Sequence, residues 1–120
     1  MDTLMTTTTA LKVATLTIGE GRNGSGKLWL DGRHIFDPAN MPAGTPYDVQ
    51  YQTGQVTLTA SVDGSKRVHL HKASGKPIVD LTSKKIASTL GIRSTVKVFA
   101  TDGQIIIKNG WTTTPDQGWF

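Results

Sequence analysis

Residues 74–81 (SGKPIVDL), 85–92 (KIASTLGI) and 96–108 (VKVFATDGQIIIK) decide the fold. They predict, in this order, a strand, a short helix and a β-hairpin. Apolar and polar side chains alternate before Asp102-Gly103, a pair that supplies the positive φ angles of a tight primed turn. The β-branched isoleucines after the turn favour a strand over a helix.

Local signals bound the helix between the first strand and the hairpin. Ser83 is a suitable N-cap, and Gly91 is suited to the C-terminal cap position. Ile86 and Leu90 lie four residues apart, so they share one face of the helix. The sequence therefore predicts a single short amphipathic helix in this half of the chain.

The pattern occurs twice in the chain. An offset of 49 residues places residues 25–27 (SGK) on residues 74–76 (SGK), and Gly54-Gln55 on Gly103-Gln104. Seven positions are identical among 34 compared, whereas chance gives roughly two. We interpret this as an internal duplication; the alternative is two unrelated hairpins that share turn chemistry.

The duplication suggests one domain of two repeats, residues 12–60 and 62–110. Residues 1–11 are Thr-rich and predicted to be disordered, and residues 111–120 form a C-terminal tail. Asp31-Gly32 permits either a hairpin or a helical turn at about His34 to Phe36. The repeat favours the helical turn, because the equivalent segment of the second half is the helix.

Composition restricts the classes of function. The chain has 120 residues, no cysteine and a net charge of +4. Without cysteine it has no disulfide or thiolate metal site, which fits a cytoplasmic protein. No apolar run has the length of a membrane span. The positive charge favours an anionic partner, most simply nucleic acid.

Residues 66–108 resemble an AbrB/MazE-type swapped-hairpin unit in their first strand 68–72, loop Gly75-Lys76, helix and closing hairpin. Residues 28–58 are more similar to the SymE-type variant. The chain departs from the AbrB pattern at Asp80, where proline is common. The resemblance implies a mostly β, small swapped-hairpin barrel with one or two short helices and pseudo-twofold symmetry. One chain would supply both units as a monomer; a homodimer is the alternative.

The resemblance also implies a DNA interface. In that family, basic residues of the first strand and the following loop contact DNA. The matching positions, with the neighbouring Arg33 and two histidines of one strand face, are Arg22, Lys27, Arg33, Lys66, Arg67, His69, His71, Lys72 and Lys76. Lys and Arg neutralise phosphates, and glycines allow a close backbone approach. The alternative is a solvated basic loop that only aids solubility.

Residue patterns give little support for catalysis, a metal or a cofactor. Residues 21–27 (GRNGSGK) approach the phosphate-binding loop of nucleotide hydrolases, but Leu28 replaces the required hydroxyl and a strand is predicted to follow. His69 and His71 lack a third metal ligand. Asp31 and Asp80 are expected to hydrogen-bond the start of the next helical segment.

The aromatic residues suggest a second class of function. Trp29 aligns with Ile78 and is expected in the core, whereas Trp111, Trp119 and Phe120 are candidates for binding a protein partner. The leading hypothesis is a DNA-binding transcriptional regulator of bacterial or phage type, with RNA as a possible ligand. The alternatives are a protein-interaction module, such as an antitoxin or phage counter-defence inhibitor, and a SymE-like RNA-cleaving toxin.

Overall fold

The structure, a computed structural model, describes residues 10–109, which are mostly β. The two α-helices are α1 (Arg33–Phe36) and α2 (Lys84–Leu90), and a 3-10 turn spans Arg22–Gly24. The ten strands are β1 (Leu11–Thr17), β2 (Gly19–Glu20), β3 (Gly26–Asp31), β4 (Pro46–Gln52), β5 (Gln55–Ala60), β6 (Lys66–Arg67), β7 (His69–His71), β8 (Lys76–Ser83), β9 (Thr95–Thr101) and β10 (Gln104–Asn109). Neither α-helix is long and apolar enough to cross a membrane.

The predicted hairpin and helix are confirmed. β9 and β10 pair around Asp102-Gly103, and the Ser83 hydroxyl accepts the Ile86 N–H at 3.1 Å to cap α2. The predicted primed turn is wrong, because Gly103 has φ 81° whereas Asp102 is not among the residues with positive φ. A type I′ turn needs positive φ at both central positions. The helical turn predicted before Phe36 is also confirmed, as α1.

The strands form two sheets. Their orders are β1-β9-β10-β5-β4-β6 and β2-β3-β8-β7. The chain passes from the first sheet to the second at Ile18 and again at Val68, both buried. The single strand predicted over residues 68–72 is therefore wrong: Val68 separates β6 from β7, which join different sheets. In the described chain no hydrogen-bonded ladder closes the two sheets into a barrel.

Strand order and register recur at the 49-residue offset. Each strand of residues 10–60 has a counterpart in residues 61–109: β1 and β6, β2 and β7, β3 and β8, β4 and β9, and β5 and β10. Counterparts occupy positions at equal distances from the two edges of each sheet. Leu30 pairs with Val79 across β3 and β8, and Thr57 pairs with Ile106 across β5 and β10. Both pairs join residues that are 49 positions apart. A twofold axis through these two pairs would produce such registers.

Individual hydrogen bonds recur at the same offset. The Thr45 hydroxyl donates to the Pro42 carbonyl at 2.6 Å, and the Ser94 hydroxyl donates to the Gly91 carbonyl at 2.6 Å. The backbone N–H groups of Thr45 and Ser94 donate to the same two carbonyls, at 3.0 and 3.2 Å. The turns that precede β4 and β9 are therefore closed by equivalent hydrogen bonds although their sequences differ.

The core lies between the sheets, and each helix contacts both of them. α2 packs against β3 and β8 of one sheet and β4 and β5 of the other, while α1 packs against β3, β8, β1 and β9. The apolar sides of both helices are buried, through Ile35 and Phe36 in α1 and Ile86 and Leu90 in α2. The face of the four-stranded sheet that points away from the core is exposed to solvent.

Candidate nucleic-acid interface

The solvent-facing side of the β2-β3-β8-β7 sheet is called the outer face here. Along β3, burial alternates strictly: Leu28 and Leu30 are buried, whereas Lys27, Trp29 and Asp31 are exposed. Directly paired residues point to the same side of a sheet. The outer face therefore also includes the β8 partners of these three residues, which are Thr82, Asp80 and Ile78.

Trp29 is not a core residue. It is 39% exposed, and the ammonium of Lys27 lies 5.6 Å from its ring centre, within the range of a cation–π contact. The expectation of burial relied on Ile78 being in the core. Ile78 itself lies on the outer face and is half-buried. Trp29 and Ile78 therefore do occupy the same face, as the repeat predicts, but that face is not in the core.

Both β7 histidines lie on the outer face, as their shared strand face predicted. His69 pairs with Ile78, and His71 pairs with Lys76. The His71 Nδ1 atom lies 3.1 Å from the Ser74 hydroxyl. No group of three or more His, Asp or Glu side chains in residues 10–109 is arranged to hold a metal ion.

One group of predicted basic residues lies at the start of β8 and is called the Lys76 end. The Gly32 N–H donates to the Pro77 carbonyl at 3.1 Å, which places the start of α1 beside the start of β8. As a result Arg33, His34 and Lys76 line one cavity of about 370 Å³, and the acidic Asp31 lines it with them. Lys72 lies in the exposed turn just before β8.

A second group lies at the other end of the same sheet and is called the Lys27 end. Lys27 pairs with Thr82, six positions along β8 from Lys76, which corresponds to about 20 Å. Arg22 is exposed in the 3-10 turn just before β3. The basic residues thus form two groups separated by the middle of the outer face.

The loop that approaches a nucleotide-binding motif has a structural role. Residues 26–31 are strand β3 rather than a helix, so no helix N-terminus follows the glycines. A Cβ atom on Gly26 would lie 2.8 Å from the Ala87 nitrogen, so glycine is required for the close packing of α2 on β3. Its aligned partner Gly75 instead occupies a turn with φ 69°.

Lys66, Arg67 and His69 form a third group. They line a cavity of about 370 Å³ together with Tyr47, Ser65, Asp80 and Leu81; it is called the Tyr47 cavity. Tyr47 pairs with Lys66 across β4 and β6. Residue-by-residue charge counting did not identify Tyr47. The alternation of Tyr47, Val49 and Tyr51 along β4 is the signal that would have predicted its inward position.

The predicted cations are not neutralised within the described chain. Arg22, Lys27, Arg33, Lys66, Arg67, Lys72 and Lys76 are all exposed. None of them forms an ion pair with a carboxylate of residues 10–109, in contrast to Arg93, which lies 2.8 Å from Glu20. Their charges are therefore available to an anionic ligand.

Asp31 and Asp80 do not cap the helices, contrary to expectation. Ser83 caps α2, while the N-cap residue of α1 is Gly32, which has no side chain. The Asp80 carboxylate accepts the Thr82 hydroxyl at 3.3 Å. Because Asp80 pairs with Trp29, and Asp31 with Ile78, the two aspartates are diagonal neighbours, with Cα atoms about 7–8 Å apart. Asp80 places negative charge at the centre of the outer face, whereas Asp31 borders the Lys76 end.

Neither the predicted partner-binding aromatic residues nor comparisons with known proteins give further information about the site. Trp111, Trp119 and Phe120 lie outside the described residues. A comparison of the chain with protein-family models, curated proteins and solved structures finds no match.

Proposed function

We propose that the protein binds nucleic acid, with duplex DNA as the first ligand to test, and acts by binding rather than by catalysis. The observation that carries this proposal is the set of seven exposed Lys and Arg side chains that have no carboxylate partner in residues 10–109. Releasing counterions from phosphates is the largest sequence-independent source of affinity for nucleic acid.

The fold supports a duplicated swapped-hairpin architecture of the AbrB type as part of the proposal. β1 of the first half pairs with β9 of the second, and β6 of the second half pairs with β4 of the first. Exchange of this kind interleaves the two halves. A single chain would then provide the two related DNA-contacting ends that a homodimer provides in the usual case, and it would act as a monomer.

The charge distribution suggests where phosphates would lie. The Lys76 end and the Lys27 end carry the positive charge. Asp80 lies between them, whereas Asp31 borders the Lys76 end and lines the same cavity as Arg33 and Lys76. A phosphate at the centre of the outer face would meet the Asp80 carboxylate without a neighbouring Lys or Arg, which is unfavourable. We therefore place the phosphate contacts at the Lys76 end and the Lys27 end. The middle of the outer face, between these ends, would then face a groove of the duplex.

Fluorescence-anisotropy titration of a labelled random-sequence duplex at two salt concentrations tests the proposal. We expect submicromolar binding at low salt that weakens steeply as salt is raised, because each phosphate contact releases counterions. A parallel titration with single-stranded RNA distinguishes the two nucleic acids. Absence of binding to both at low salt would refute the proposal and would favour the alternative of a protein-interaction module.

A further inference from the structure

The Tyr47 cavity lies where the chain crosses between the two sheets. Lys66 and Arg67 come from the edge of the six-stranded sheet, and His69 from the edge of the four-stranded sheet. The buried Val68 separates the two edges, and its N–H donates to the Thr45 carbonyl at 2.9 Å. The crossing therefore brings Lys66, Arg67 and His69 to the lining of one cavity, where the Arg67 guanidinium also donates to the Gly44 carbonyl at 3.4 Å.

Tyr47 adds a buried polar group to the cavity lining. Its side chain is only 2% exposed, and its hydroxyl makes no hydrogen bond to a described residue. Among residues 10–109, Thr101 Oγ1 is the one buried side-chain oxygen that lacks both a partner and contact with solvent. The Tyr47 hydroxyl is therefore reached by solvent, and a ligand in the cavity would supply the hydrogen-bond partner it lacks.

The Tyr47 hydroxyl is a hydrogen-bond donor at physiological pH, as an ordinary tyrosine is. Desolvation, with a smaller contribution from nearby Tyr51, raises the pKa of Tyr47 to about 12. The protonated phenol can donate to an anion beside the ammonium of Lys66 and the guanidinium of Arg67.

The first half of the chain shows that the fold does not require these groups. The pairing of Tyr47 with Lys66 corresponds to the pairing of Val96 with Leu16 across β1 and β9. There the same crossing is built from two apolar residues. The cluster of donors is thus particular to the second half, which is the pattern expected of a binding site rather than of a structural element.

From this cavity we infer a site for a terminal phosphate monoester, carried either by a mononucleotide or by the end of a nucleic-acid strand. A monoester is close to dianionic at neutral pH, whereas a backbone phosphodiester has a single charge. Two permanent cations, an imidazole and a phenol match the dianion. Asp80 also lines the cavity. Its carboxylate would repel a phosphate placed beside it, so the inferred site requires the phosphate to lie against Lys66 and Arg67 and a sugar hydroxyl to donate to Asp80. The strand-end source rests on the proposed function, whereas the mononucleotide source does not.

Two titrations of the full chain test the site. One measures binding of a short single-stranded oligonucleotide, labelled at its 3′ end, with either a 5′-phosphate or a 5′-hydroxyl. The other is calorimetry with adenosine 5′-monophosphate. We expect the double variant Lys66→Gln/Arg67→Gln to lose about tenfold in affinity for the phosphorylated probe, because charge-assisted hydrogen bonds are removed. Tyr47→Phe, which removes only the hydroxyl, should weaken the same interaction severalfold.

Lys12→Gln/Lys84→Gln is the matched control, because it removes two exposed positive charges away from the cavity that also lack a carboxylate partner in residues 10–109. A preference for the 5′-phosphate that only the cavity variants remove would support the strand-end source. Binding of the monophosphate alone, removed by the same variants, would support the mononucleotide source even if no oligonucleotide binds and the proposed function fails. No binding of the monophosphate together with no 5′-phosphate preference would overturn the inference, as would equal losses in the cavity and control variants.

Discussion

Ile18 and Val68 occupy equivalent places, each at a point where the chain leaves one sheet for the other. The Ile18 N–H donates to the Ser94 carbonyl at 3.0 Å, and the Val68 N–H donates to the Thr45 carbonyl at 2.9 Å. Both side chains are buried. Ser94 and Thr45 are 49 positions apart, so each crossing is held by the other half of the chain. This arrangement ties the folding of one half to that of the other.

Val68→Ala should destabilise the whole domain, because the removed methyl groups are buried between the sheets. We expect a loss of about 2 kcal/mol in the free energy of unfolding, measured by urea denaturation. Val62→Ala is the matched control, since Val62 is 92% exposed whereas Val68 is 2% exposed. Equal effects of the two substitutions would contradict the buried position of Val68.

Ser83→Ala should weaken the start of α2. The variant loses the hydroxyl that accepts the Ile86 N–H, and loss of an N-cap typically costs about 1 kcal/mol. Ser88→Ala provides the comparison within the same helix, because the Ser88 hydroxyl only donates to the Lys85 carbonyl on the exposed side. Thermal unfolding followed by circular dichroism should show a clearly larger shift for Ser83→Ala.

Alkaline pH should destabilise the protein through Tyr47. Its pKa is raised from 10 to about 12 in the folded chain, so the unfolded state releases this proton first. The contribution of Tyr47 to stability is intact below pH 10 and is lost as pH rises from 10 to 12, because the folded state holds this proton more tightly than the unfolded state. Urea titrations of the wild type and Tyr47→Phe across this range should show a shallower decline for the variant; parallel declines would refute the assignment.

Arg33→Gln/Lys76→Gln should weaken DNA binding and its dependence on salt. If both side chains contact phosphates, the slope of log affinity against log salt should become shallower by about 2, since each contact contributes about 0.9. The control Lys12→Gln/Lys84→Gln removes two exposed positive charges elsewhere that likewise lack a carboxylate partner in residues 10–109. Anisotropy titrations over a salt series measure both slopes, and a similar change in the two double variants would show that only net charge matters.

Local elements were predictable from the residues that form them. Ser83, Gly91 and the four-residue spacing of Ile86 and Leu90 were enough for α2, because capping and helical periodicity act over a single turn. The hairpin around Asp102-Gly103 followed from alternation on either side of a glycine, and the hairpin around Gly54 followed from the repeat. Aligned glycines did not have the same role, which the sequence did not predict. Gly26 allows α2 to pack closely on β3, whereas Gly75 allows a positive φ in a turn.

The environment of a residue was less predictable than its element. The exposure of Trp29 depends on which face of β3 meets the core, and Leu28 and Leu30 occupy that face. The separation of β6 from β7 depends on Val68 being held by residues 44–45 of the other half. Neither the packing of β3 nor the hydrogen bonds of Val68 can be predicted from the neighbouring residues, since both depend on residues far away along the chain.

The sequence by itself determined most of the strands, but not the division between β6 and β7, and it determined the two helical segments and the 49-residue periodicity, because hydrogen bonding within a turn and alternation along a strand are local. Only the tertiary structure decided which sheet each strand joins, that Arg33 and Lys76 line one cavity, and that Tyr47 is buried beside Lys66. Those relations join residues that are distant in the chain. They arise when the two halves exchange strands to bury a common core, which neither half is large enough to form alone.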